Sequence, residues 1–149
     1  GCPVPGFSDE LAVALEHAQD TGSCAAPCTW RGKAADGSRH AVVVGEPVTM
    51  GSVAVALQRR GGMRARLVCP LEADAALLDE DDALVVGEEQ VESALAGADL
   101  IVADPLYQLI APRRSRFVPL AHLAFSGRVY RHAMPDLAHL WEGVKLWED

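Results

Sequence analysis

Between residues 40 and 121 the chain alternates short, Val-rich apolar runs with stretches of helical period, and this alternation constrains the fold more than any other feature. The runs are His40–Gly45, Arg64–Cys69, Ala83–Gly87, Asp99–Ala103 and Arg116–Ala121. Helical stretches separate them at Thr49–Arg60, Glu88–Ala96 and, more briefly, Leu106–Ala111. A strand that is apolar on every residue has both faces buried, which happens when helical crossovers cover a parallel sheet on both sides. The expected fold is therefore α/β: a Rossmann-like three-layer sandwich with a four- or five-stranded parallel sheet. Pro119 lacks the N–H that a central strand needs, so the fifth run belongs at an edge or a bulge.

The flanks read differently. Ser8 can cap a helix over residues 9–20, with Asp9 and Glu10 in its first turn and Gly22 as a stop. Residues 21–39 then follow no sustained period and read as a loop. At the other end, Leu137, Leu140, Trp141, Val144 and Trp147 fall at helical spacing and make one apolar stripe. The expected organisation is an N-terminal helix and linker (1–39), the α/β domain (40–131) and a C-terminal amphipathic helix (132–149). The start at Gly1-Cys2-Pro3, without Met, suggests a trimmed tag or a piece cut from a longer chain.

With 149 residues, half of them apolar, the chain has enough core for one domain. A net charge of −8 repels a phosphate backbone, so nucleic acid is not an expected partner. No apolar run approaches the roughly 20 residues of a bilayer span, so no membrane partner is expected. Four cysteines do not make a disulfide-dense scaffold, which suits a cytoplasmic protein. Cys24 and Cys28 form C-x-x-x-C, not the C-x-x-C of zinc ribbons, and Cys69 reads as a small buried apolar residue.

Parallel sheets bind ligands beyond the carboxyl ends of their strands. The residues there are Gly45-Glu46-Pro47, Gly87-Glu88-Glu89, Asp104-Pro105-Leu106-Tyr107 and His122 with Ser126-Gly127. From these, Gly45, Glu46, Asp104, Ser126 and Gly127 are the candidate cofactor-binding residues. Neither G-x-G-x-x-G nor G-x-x-x-x-G-K-[ST] occurs, and Glu46 works against an anion on the following helix N-terminus. No G-x-S-x-G elbow or carboxylate dyad appears, so no catalytic residue is assigned. His122 is a candidate metal ligand through a neutral imidazole nitrogen. The plainer reading is a histidine that satisfies loop backbone.

The ordered pieces Val-Val-Val-Gly45-Glu46-Pro47-x-x-Met50-Gly51, Arg66-Leu-Val-Cys69, Ala98-Asp99-Leu100-Ile101-Val102 and His122-x-x-x-Ser126-Gly127-Arg128-Val129-Tyr130 resemble nitrogenase component 1 proteins. The resemblance covers roughly residues 40–131. It implies the C-terminal Rossmann-like domain of a nitrogenase-like oxidoreductase or cofactor-assembly scaffold, inactive alone, that walls a metallocluster site and forms a subunit interface. It further implies an iron-sulfur or iron-molybdenum-type cluster in the full-length parent, with His122 on the metal-ligand position. Implied partners are the other domains or subunits of the complex and an ATP-dependent iron protein as electron donor, in a setting of nitrogen fixation or cofactor biosynthesis. The alternative is a stand-alone Rossmann-like module that binds a small ligand or another protein.

Overall fold

A computed structural model describes residues 39–133, together with the single residue Gln19. Apart from Gln19, the expected helix at 9–20 lies outside the described residues, as do the Cys24–Cys28 loop and the apolar stripe Leu137–Trp147. Within them, five parallel strands form one sheet: β1 (His40–Val44), β2 (Arg64–Cys69), β3 (Ala83–Leu84), β4 (Leu100–Ala103) and β5 (Arg116–Pro119). Their order across the sheet is β3-β2-β1-β4-β5, so the chain steps outward to one side of β1 and then returns to build the other. That is the strand order of a Rossmann-like sheet, with its switch point between β1 and β4. The α/β parallel-sheet expectation holds.

Two helices cover the faces: α1 (Pro47–Gly61) and α2 (Glu88–Leu95). Alternate strand residues point to opposite sides. Thus Val43, Leu67 and Val102 pack with Met50, Val53 and Leu57 of α1, while Val44, Val68 and Ile101 pack with Val91 and Leu95 of α2. The central strands are buried on both faces, as their unbroken apolar runs require. Leu57, Leu67, Leu95 and Ile101 are fully buried, and each such side chain contributes about 1.5–3 kcal/mol on leaving water.

Several boundaries differ from the sequence reading. α1 begins at Pro47 rather than Thr49, because Glu46 is its N-cap and proline suits the first helical position. β3 pairs over only two residues, Ala83 and Leu84, against the five-residue run expected. Residues 105–109 form a 3-10 turn, started by Asp104 and Pro105, in place of a short helix at 106–111. Pro119 lies on β5, which among the described residues pairs with β4 alone, so it occupies an edge strand where its missing N–H leaves no ladder bond unmade. No helix among the described residues is long and apolar enough to cross a membrane.

Candidate functional site at the carboxyl rim

Because all five strands are parallel, their exits share one rim, and the sequence candidates gather there. Beyond β1, the Gly45 N–H donates to the Val68 carbonyl at 3.0 Å, tying this exit to that of β2. A Cβ on Gly45 would stand 2.4 Å from Met50 Cγ, and Met50 is buried in the core, so the close approach of the turn requires glycine. Glu46 follows, and its carboxylate accepts from the N–H groups of Val48 (2.8 Å) and Thr49. An anion at this helix N-terminus would meet a position that a negative side chain already fills. Glu46→Ala is therefore expected to lower stability by about 0.5–2 kcal/mol, the cost of losing a helix cap, in urea unfolding.

Asp104 is the centre of the second half of the rim. It ends β4, is 1% exposed, and its carboxylate accepts four hydrogen bonds. Oδ1 takes the Leu106 N–H at 3.1 Å and so starts the 3-10 turn. Oδ2 takes the His122 N–H (2.9 Å), the Ser126 N–H (3.2 Å) and the Ser126 hydroxyl (2.7 Å). Burial alone would push this carboxyl up, but the four donors outweigh it and hold the group below its ordinary value. The segment after β5 is thereby folded onto the exit of β4. Its own turn closes through the His122 carbonyl, which accepts from the N–H groups of Phe125 (3.0 Å) and Gly127 (2.9 Å).

Of the sequence candidates, Asp104, Ser126, Gly127 and His122 are brought into one cluster. Gly45 and Glu46 stand at the neighbouring exit, engaged with α1. The His122 ring accepts the Ala124 N–H on Nδ1 at 3.1 Å. In a neutral ring that bond leaves the proton on Nε2. Among the described residues, no group of three or more His, Cys, Asp or Glu side chains could hold a metal ion.

Two features were not singled out from sequence. Tyr107 stacks edge-on against Phe125, with ring centroids 5.6 Å apart, and Phe125 also meets the His122 ring at 5.7 Å. Burial raises the Tyr107 phenol, and the charges of Asp104 and Glu88 add to that. The second feature is an apolar fringe on the rim: Val48, Val86, Leu106, Leu109 and Leu123 are each more than half exposed. They follow β1, β3, β4 and β5, a convergence that only the strand order reveals.

No protein-family model matches the chain, and no curated protein matches it. Among solved structures it is similar to a D-isomer specific 2-hydroxyacid dehydrogenase from Xanthobacter autotrophicus Py2, at 17% identity and a TM-score of 0.42. The match covers 96% of this chain and 52% of that one, so the chain spans about half the length of that structure. The resemblance to nitrogenase component 1 proteins is not upheld: no family model and no curated protein of that kind matches the chain, and the solved structure it is similar to is that of a dehydrogenase. The metallocluster, iron-sulfur and nitrogen-fixation readings that rested on it lose their basis. A physical reason for the false likeness is visible in the rim. Gly45-Glu46-Pro47 and Asp104-Pro105 are an acidic cap followed by proline, the chemistry by which a strand exit enters a helix or turn in any parallel sheet.

Proposed function

We infer that this chain is a Rossmann-like interaction module whose carboxyl rim docks a second copy of itself, rather than a nucleotide. The observation that supports it is the division of labour on the rim. The two carboxylates among the candidate cofactor-binding residues, Glu46 and Asp104, are engaged by donors of the chain itself, while five apolar side chains project outward. An exposed apolar fringe of this kind is what a protein interface uses.

Charge selects the occupant. Exposed Glu88 and Glu89 follow β3, at one edge of the sheet, and exposed Arg128 and Arg131 follow β5, at the other edge. Leu106, Leu109 and Leu123 leave the strands toward the basic end, and Val48 leaves from the middle. Two copies related by a two-fold axis through the rim and perpendicular to the sheet would lay the basic end of each over the acidic end of the other.

Sedimentation equilibrium of the full chain is expected to show a monomer–dimer equilibrium, and Leu109→Glu is expected to shift it to monomer. Arg128→Glu with Arg131→Glu should weaken the dimer, and Glu88→Lys with Glu89→Lys in the same chain should restore it. A strictly monomeric protein, or a dimer indifferent to Leu109→Glu, would falsify this reading. Thermal stabilisation by NAD, NADP or ATP at this rim would replace it with the small-ligand alternative.

A further inference from the structure

At the opposite, amino-terminal edge of the sheet lies a cavity of about 250 Å3, lined by His40, Arg64, Arg66, Asp81 and the Ala96–Ala98 segment. Its composition follows from register. His40 pairs with Arg64 and Val42 with Arg66 on adjacent parallel strands, and residues two apart on a strand share a face. His40, Arg64 and Arg66 therefore stand together on the α2 side of the sheet. This is the side on which Val44 and Val68 meet Val91 and Leu95. The loop leaving α2 closes the cavity.

The donors here outnumber the acceptors. Arg64 donates through Nη2 to Asp81 Oδ2 at 3.0 Å, in a pair about half exposed on each side. The half-buried Arg66 donates through Nη2 to the Ala94 carbonyl in the last turn of α2. A guanidinium carries five N–H donors, so each arginine keeps most of its donors without a protein acceptor among the described residues. Asp99, the other nearby carboxylate, accepts the His40 backbone N–H at 2.8 Å. The lining of the cavity thus holds two guanidiniums and one carboxylate, Asp81, in a chain whose net charge is −8.

We propose that this cavity is a binding site for a small oxyanion, held by Arg64 and Arg66 with the His40 ring at its side. Planar guanidiniums match the paired oxygens of a phosphate or carboxylate, and partial burial strengthens the contact relative to open water. The site is separate from the carboxyl rim and independent of any association there.

The test is titration of the full chain with inorganic phosphate, and in a second arm with acetate, at ionic strength held constant with chloride. Binding is read from the arginine Nε–Hε NMR signals. Saturable shifts of two arginine signals are expected, and the tighter anion names the ligand class. Arg64→Gln and Arg66→Gln should each weaken binding about tenfold, the loss of one charged hydrogen bond. Asp81→Asn should tighten it by releasing Arg64. If Arg66→Gln unfolds because it also supports α2, the exposed Arg64→Gln and Asp81→Asn variants still decide. Shifts that do not saturate with either anion, or that ignore all three substitutions, overturn the site.

Discussion

Asp104→Ala is expected to destabilise the chain by about 3–5 kcal/mol, the largest effect of any rim substitution. The reason lies in what is left behind. Removing the carboxylate strands the Ser126 N–H and hydroxyl, both in a residue 3% exposed, and takes the acceptor from the His122 and Leu106 N–H groups. A buried donor without an acceptor costs about 1–3 kcal/mol, whereas the N–H groups of half-buried His122 and exposed Leu106 can partly recover with water. Asp104→Asn keeps an oxygen but sets an amide N–H₂ against donors, so its loss should be smaller. Urea unfolding of the two variants beside the parent gives the ranking. An Asp104→Ala protein within about 1 kcal/mol of the parent would show that the segment after β5 is held by other contacts.

The same carboxylate predicts a pH dependence, with a definite sign. Asp104 titrates below its ordinary value in the folded chain, so the folded state prefers the charged form more than the unfolded state does. Its stabilisation is therefore fully present above the unfolded carboxyl pKa and is lost as pH falls through the folded one. In Asp104→Asn that part of the acid limb should disappear. Equal acid sensitivity in both proteins would assign it to other groups.

How much of this was open to sequence depends on the range of each interaction. β1, β2 and β4 were legible because burial on both faces writes itself into consecutive residues, as in Ala41–Val44 and Leu100–Ala103. β3 was over-read because Val85 and Val86 extend the apolar run, yet pairing stops at Leu84 and Val86 is 83% exposed. Only the partner strand decides where pairing ends. The rim candidates were legible as strand exits, but their roles were not. Asp104 bonds His122 and Ser126, 18 and 22 residues away, and no local pattern states that distance. Glu46 is the contrary case: its partners are two and three residues on, so the acidic cap before Pro47 could have been read as a helix start.

Gly127→Ala is expected to cost about 1–3 kcal/mol, although it adds only one methyl group to a short turn. An ideal Cβ there falls 2.6 Å from the Leu123 Cα, 3.0 Å from its nitrogen and 3.1 Å from the His122 carbonyl oxygen. All three are backbone atoms, so no side chain can swing aside. The turn must open instead, and opening it pulls on the His122–Gly127 hydrogen bond and on Ser126, whose hydroxyl and N–H are anchored to Asp104. Gly51→Ala supplies the contrast. Gly51 lies inside α1 with nothing within 4 Å of its Cβ position, so alanine there should stabilise the helix by about 0.5–1 kcal/mol. Opposite signs for one chemical change, measured by urea unfolding in the same background, separate steric closure of the rim from helix propensity. A Gly127→Ala protein as stable as the parent would mean that the turn is looser than its hydrogen bonds suggest.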